Sequence, residues 1–134
     1  VMEYVQGIDC TTDPLAKNGE VLLCPIKSRH NERCGLPMKF VQVESPELLE
    51  STSHIVKALE LDWIVNAQFI GEYLIELNPR ISTQIFAPGL NIPYLAIKLL
   101  LEEITPDEVR SCSSKINIGQ TSVRYYNQIF FDDN

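Results

Sequence analysis

Two neighbouring segments near the middle of the chain restrict its fold more than any other feature. The segments "WIVNAQFI" (63–70) and "YLIELN" (73–78) show the alternation of β-strands. Successive side chains of a strand point to opposite faces. Each segment therefore has one apolar face, formed by Val65, Ala67 and Phe69 in the first and by Tyr73, Ile75 and Leu77 in the second. We expect an antiparallel hairpin in which these two apolar faces coincide.

The coincidence of the two apolar faces determines the register of this hairpin. It pairs Phe69 with Ile75, Gln68 with Glu76, and Asn66 with Asn78. A two-residue turn by itself would direct every side chain of one strand to the wrong face. We therefore expect a loop with an odd number of residues, such as 71–73, or a bulge.

The same register gathers polar side chains on the other face of the hairpin. Glu76 supplies a carboxylate, and Gln68 and Asn78 supply amides. Hard divalent cations prefer such oxygen ligands, and Mg²⁺ takes one or two carboxylates together with waters and substrate phosphates. A Glu flanked by Asn and Gln is also common on a solvated sheet face, so that alternative stays open. The Pro79-Arg80 that follows favours a site, because a guanidinium suits phosphate or carboxylate.

The other strands are predicted from alternation and turn residues. We expect strands in the following segments: "VMEYVQG" (1–7), 8–16, 21–28, 39–44, "SKINI" (114–118) and "SVRYYNQIFF" (122–131). Asn18-Gly19 is a strong signal for a hairpin between the second and third of these. Pro14 and Pro25 lack the N–H that a strand ladder needs, so each should lie at an edge or a bulge.

Three helices are predicted from their capping residues. Ser45 and Pro46 begin a helix that continues to about residue 60. Asn91 caps a second helix over 92–103, and Thr105 begins a short third one. The order of strands and helices predicts an α+β fold with a mostly antiparallel sheet and two main helices.

The charge and the cysteines restrict the partners and the compartment. A net charge of −7 argues against nucleic acid or an anionic membrane as a partner, although the basic cluster at 26–33 suits a small anion. The four cysteines have no CxxC spacing, and the two histidines complete no zinc pattern. This usage is typical of reduced thiols. With neither a membrane span nor a signal peptide in the sequence, we expect a cytoplasmic protein.

The length and the first residue bear on domain organisation. A chain of 134 residues makes one domain, 1–134. It begins with Val1 inside a predicted strand, which is the pattern of a fragment or an excised domain.

The central motif has a family resemblance. The sequence "NAQF…LIELNPR", followed by "ISTQIFAPGLNIPYLAIKLLLEE", resembles the carboxy-terminal lobe of ATP-grasp ligases. The closest likeness is to the carbamoyl phosphate synthetase large-subunit type, and the opening "VMEYVQGID" is similar to that family's hinge strand. The resemblance covers residues 1 to about 104 and leaves 105–134 as a C-terminal extension. It implies that the family's amino-terminal domains, with the Gly-rich phosphate loop, lie outside this chain.

The resemblance implies a metal and phosphate site on the hairpin. Glu76 would be the metal-bridging carboxylate, and Gln68 and Asn78 would be further ligands. The ion would be Mg²⁺ or Mn²⁺. Arg80 matches the position that contacts the transferred phosphate or the acyl phosphate. The family's loop after this motif is often rich in Gly or Ser, whereas this one reads "ISTQIFAPG", so the resemblance does not predict the substrate.

The resemblance also implies contacts with ATP. Glu3 and Val5 match the hinge whose backbone pairs with adenine, and Asp9 matches the acid that binds the ribose. Lys27 and Arg29 are two apart on one strand and would contact phosphate or substrate. The alternatives are ordinary edge acids for Glu3 and Asp9 and a solvated face for Lys27 and Arg29.

The implied function is that of an ATP-dependent ligase. Such an enzyme activates a small carboxylate as an acyl phosphate, and an amine or another nucleophile then displaces phosphate. We expect the chain alone to be inactive and to depend on the missing amino-terminal domains, and a homodimer stays open. Two alternatives remain. One is a non-catalytic nucleotide-binding or interaction module, and the other is a plain structural domain in which the last strand covers the polar face of the hairpin.

Overall fold

The structure, a computed structural model, describes residues 3–33, 36–82, 85–125 and 130. In this part of the chain it has an α+β fold with antiparallel sheets, as the sequence predicts. The strands are β1 Asp9–Thr12, β2 Leu15–Lys17, β3 Glu20–Leu23, β4 Ile26–Arg33, β5 Leu36–Val43, β6 Trp63–Ile64, β7 Asn66–Ile70, β8 Tyr73–Asn78, β9 Phe86–Ala87, β10 Leu90–Asn91 and β11 Thr121–Val123. The helices are α1 Pro46–Ala58, α2 Ile92–Leu100 and α3 Pro106–Ser111.

The described strands form three sheets. The largest has six strands in the order β11-β5-β4-β1-β7-β8, and a smaller one has the order β3-β2-β6. The strands β9 and β10 pair with each other. The Asn18-Gly19 hairpin is confirmed, because β2 and β3 are antiparallel on either side of it.

Two buried prolines divide the long predicted strands. Pro14 lies between β1 and β2, and Pro25 lies between β3 and β4. The Pro25 carbonyl accepts from the N–H of Asp13 at 3.1 Å, and the Pro14 carbonyl accepts from that of Val65 at 3.3 Å. Since proline has no N–H to continue a ladder, the chain passes here from the large sheet to the small one and back. The segments 8–16 and 21–28 are therefore two strands each.

The apolar side chains form two clusters. One lies between α1 and the large sheet, where Leu48 packs with Cys10, Ile26, Ala67 and Phe69. The other joins α2 and α3 to the small sheet. One face of the large sheet is thus covered by α1.

The three predicted helix starts are confirmed. The side chains of Ser45, Asn91 and Thr105 each accept a hydrogen bond from a backbone N–H in the first turn. The second helix ends at Leu100, three residues before its predicted end. Glu102, with a φ of 57°, directs the chain out of the helix.

Two predicted strands are wrong in the described residues. Residues 3–6 form no strand, and β1 begins only at Asp9, which lies opposite Ile70 at the end of β7. The segment 114–118 is also not a strand, since Cys112–Lys115 form a 3₁₀ turn and Gly119 has a φ of 84°. Of the last predicted strand, 122–131, only residues 122 and 123 lie in an observed strand, β11 Thr121–Val123. Residues 124, 125 and 130 form no strand, and 126–129 and 131 lie outside the described residues.

Among the described residues, no helix has the length and apolar character needed to cross a membrane.

Candidate functional site

The central hairpin has the polar pairing that the sequence predicts. Strands β7 and β8 are antiparallel, with Gln68 opposite Glu76 and Asn66 opposite Asn78. Directly opposite residues of an antiparallel pair share a face. Both predicted polar pairs are therefore confirmed, and their carboxylate and amides lie on one side of the sheet.

The hairpin reaches this register through a bulge. Gly71 and Glu72 form a two-residue turn, in which Gly71 has a φ of 59°. Phe69 then opposes Leu74, so the predicted pair of Phe69 with Ile75 is wrong. The register shifts by one residue immediately afterwards, which returns the polar side chains to one face. The bulge, and not a three-residue loop, supplies the odd residue.

Neighbouring strands extend the polar face across the sheet. Thr11 of β1 lies opposite Lys27 of β4 on one side and opposite Gln68 of β7 on the other. Arg29 follows Lys27 by two residues, shares its face and lies opposite Phe40 of β5. The face away from α1 therefore carries polar and charged side chains from four strands.

A cavity of about 230 Å³ opens on this polar face. Its lining includes four residues that the sequence predicts for the site: Arg29, Gln68, Glu76 and Arg80. It also includes residues that sequence reasoning did not assign: Thr11, Leu36, Pro37, Phe40, Asn66 and Ser82. Oxygen donors and two guanidinium groups thus surround one small space.

Arg29 connects two of the predicted site residues. Its Nη1 donates to Oε1 of Gln68 at 2.6 Å and to Oδ1 of Asp9 at 3.3 Å. The Arg29 side chain is 11% exposed, and that of Asp9 is 33% exposed. A single nitrogen therefore joins the acid predicted to bind ribose to an amide predicted to bind metal.

Lys27 makes a different contact from the predicted one. Its Nζ lies 2.8 Å from Oδ2 of Asp13, and the two side chains are 5% and 0% exposed. Lys27 is not among the described residues that line the cavity. Its contact with phosphate stays a prediction, because Asp13 already engages the ammonium group.

Asn66 is oriented by Asp13. Its Nδ2 donates to Oδ1 of Asp13 at 2.9 Å and also to Oγ1 of Thr11. A carboxylate only accepts hydrogen bonds, so the Asn66 atom beside Asp13 must be the nitrogen. The amide oxygen of Asn66 is then the atom left for a partner in the cavity.

The oxygen atoms on the polar face are of the kind that binds a hard divalent cation, and they are few in number. The carboxylate of Glu76 is exposed and has no hydrogen bond or ion pair with the described residues, and Gln68 lies opposite it. In the described part of the chain, no group of three or more His, Cys, Asp or Glu side chains is placed so that it could hold a metal ion. A cation here would therefore rely on amide oxygens beside the Glu76 carboxylate.

Asn78 lies at the margin of this set. It is opposite Asn66 but is not among the described residues that line the cavity. Its Nδ2 is buried and has no hydrogen-bond partner in the described structure. Its place as a metal ligand stays a prediction.

The residues predicted to contact adenine do not line this cavity. Glu3 is exposed and Val5 is half-buried, and neither is among the described residues of the cavity lining. Their roles stay predictions, as does the ribose contact of Asp9.

The described cysteines, Cys10, Cys24 and Cys112, are free thiols. That they are reduced in the cell stays a prediction. Burial, with the charge of Asp13, raises the pKa of Cys24, and burial with the charge of Asp9 raises the pKa of Cys10. Such thiols stay protonated at neutral pH and are poor nucleophiles.

The last described strand leaves the polar face of the hairpin uncovered. Strand β11 pairs with β5, at the edge of the sheet opposite to β8. Cover of the hairpin by the last strand would support the plain structural alternative, and the described part of that strand does not provide it.

The α+β fold with its antiparallel sheets is compatible with a lobe of the ATP-grasp fold, a class whose members are generally ATP-dependent ligases that bind ATP with Mg²⁺. Within that class, residues 1–124 match the family described as ATP-grasp in the biosynthetic pathway with Ter operon, and the chain belongs to this family. The ATP-grasp resemblance is thereby confirmed. The likeness to carbamoyl phosphate synthetase and the division of the chain at residue 104 stay predictions.

Proposed function

We propose that this chain is the ATP- and Mg²⁺-binding lobe of an ATP-grasp ligase that joins a small carboxylate to an amine or a related nucleophile. The ligase would resemble the large subunit of carbamoyl phosphate synthetase and act through an acyl phosphate. The observation that carries the proposal is the cavity in which Glu76 and Gln68 lie with Arg29 and Arg80. Oxygen donors for a cation and guanidinium groups for phosphate are there side by side.

The chemistry of this proposal is charge neutralisation. Phosphoryl transfer places negative charge on the transferring group, and the protein contributes mainly position and positive charge. Mg²⁺, when bound, would supply that charge at the phosphates. Glu76 and Gln68 would hold the ion, and Arg80 would bind the transferring phosphoryl group as a bidentate donor. We keep Asn78 as a third ligand and Glu3, Val5 and Asp9 as nucleotide contacts in the same proposal.

The experiment that tests the proposal is Glu76→Ala in the full-length protein. Because Glu76 is exposed, the substitution should leave the thermal unfolding midpoint unchanged while it abolishes ATP turnover. Glu72→Ala is the matched control, since Glu72 is an exposed acid in the turn of the same hairpin. Wild-type turnover in the Glu76 variant would refute the assignment.

A second candidate is a non-catalytic nucleotide-binding or interaction module. The observation that favours it is the buried pairing of Lys27 with Asp13, because it withdraws a cation from the phosphates. This candidate predicts calorimetric binding of Mg-ATP by the full-length protein without turnover. The ligase proposal predicts both for the full-length protein, and it expects the isolated chain to bind ATP weakly or not at all and to be inactive.

A further inference from the structure

Arg29 donates to the same amide oxygen that the proposed metal site uses. Its Nη1 lies 2.6 Å from Oε1 of Gln68. An N–H group and a divalent cation both bind an amide oxygen through its lone pairs. The guanidinium also carries a positive charge, which repels a cation at short range. A metal ion on Gln68 must therefore displace Arg29 or bind against its charge.

We propose that Arg29 couples the metal to the phosphate by competing with the cation for Oε1 of Gln68. The inference rests on the proposed function, because it takes Gln68 and Glu76 as the metal subsite. A tetrahedral anion that pairs with Arg29 draws the guanidinium away from Gln68 and so removes the competition. The metal and the anion then bind cooperatively. This cooperativity adds to any that comes from direct contact between the two ligands.

The surroundings of Arg29 make this coupling effective. The side chain is 11% exposed, and Phe40, opposite it in the sheet, is 3% exposed. Charges interact more strongly where water is excluded. Asp9 accepts from the same nitrogen at 3.3 Å, so Arg29 keeps an anionic partner when it leaves Gln68. The guanidinium thus has two arrangements, one on Gln68 and one beside the anion.

The test measures the Mn²⁺ affinity of the full-length protein from the electron paramagnetic resonance signal of free Mn²⁺. Titrations are made with and without sulfate at constant ionic strength, since sulfate is a tetrahedral anion that binds Mn²⁺ weakly. In the wild type, sulfate should tighten Mn²⁺ binding by about five- to tenfold, within the usual range of coupling between sites. Arg29→Met should bind Mn²⁺ about tenfold more tightly without sulfate, and sulfate should tighten its Mn²⁺ binding clearly less than in the wild type.

Two variants control for charge and folding. Lys39→Met removes a positive charge from the other face of the sheet, because Lys39 lies opposite His30 and not opposite Arg29, and it should behave as the wild type. Arg29→Lys keeps a charge and a donor, so it should retain the sulfate effect and serves if Arg29→Met does not fold. An unchanged Mn²⁺ affinity in Arg29→Met, or a sulfate effect there as large as in the wild type, would overturn the coupling.

Glu76→Gln separates failure of the inference from failure of the proposed function. If this variant loses Mn²⁺ binding while Arg29→Met matches the wild type, the coupling is wrong and the metal site stands. If Glu76→Gln binds Mn²⁺ as the wild type does, the proposed metal site is wrong and the coupling falls with it.

Discussion

Asp13 and Lys27 form a buried ion pair, with 2.8 Å between Oδ2 and Nζ, and Lys27 belongs to the polar face of the large sheet. The sequence predicts Lys27 as a phosphate contact, and the structure gives it a partner that the prediction does not contain. Asp13 also accepts from Asn66, which lines the cavity. The pair is therefore connected to the cavity lining through Asn66.

Removal of one partner of this pair should destabilise the fold. Lys27→Met leaves the Asp13 carboxylate buried without its counter-charge, which typically costs about 3–5 kcal/mol. Urea unfolding of Lys27→Met, Asp13→Asn and the double variant measures the coupling, and the double variant should lose less than the sum of the two. Arg110→Met, which breaks an exposed pair with Glu20, should cost less than about 1 kcal/mol. Weakened ATP binding by a Lys27→Met protein of normal stability would instead support the phosphate contact.

The hairpin shows what the sequence could predict. Alternation of apolar residues determines which side chains share a face, so the pairs Gln68–Glu76 and Asn66–Asn78 followed from the pattern and are observed. The choice between loop and bulge did not follow, because both return the polar residues to one face.

The remaining lining residues could not be found from local patterns. Thr11 and Phe40 reach the cavity because β1 and β5 flank β4 in the sheet, and strand order is a property of tertiary packing. The sequence signal that could have indicated these two residues is the alternation of side chains between the two faces within each strand. The predicted strand at 114–118 failed for a related reason. Ile116 and Ile118 give this segment the alternating pattern of a strand. The chain instead turns at Gly119, and β11 then lies beside β5.

Arg80 should matter for turnover more than for folding. It lines the cavity and is exposed, so Arg80→Ala should lower kcat by about 10²- to 10³-fold, as the loss of one preorganised donor typically does, with an unchanged unfolding midpoint. Arg80→Lys keeps the charge but loses the bidentate geometry and should recover only part of the rate. Steady-state ATP turnover by the full-length protein measures both, with Arg110→Ala as the control. Equal rates for all three would remove Arg80 from the proposed chemistry.

Asn66→Asp should destabilise the fold, and the loss of stability should depend on pH. Asn66 donates to Oδ1 of Asp13, and the substitution places a second carboxylate against that oxygen. Two adjacent carboxylates raise the pKa of one of them, so the variant is penalised at neutral pH and relieved as pH falls and the shared proton binds. Denaturant unfolding should show a loss of about 1–3 kcal/mol at pH 7 and a smaller loss at pH 5. The same loss at both values would show that Asn66 acts only through packing.

Cys24 should make the protein sensitive to alkali. Burial, and then the charge of Asp13, raises the pKa of its thiol above the ordinary 9.0. Below that value both the folded and the unfolded chain hold the proton, whereas above it only the folded chain does. Stability should therefore fall as pH rises past 9.0, by up to about 1.4 kcal/mol for each pH unit. Cys24→Ala removes this contribution, so urea unfolding across the alkaline range should give a shallower decline than in the wild type. Parallel declines would mean that Cys24 ionises as readily in the folded chain as in the unfolded one.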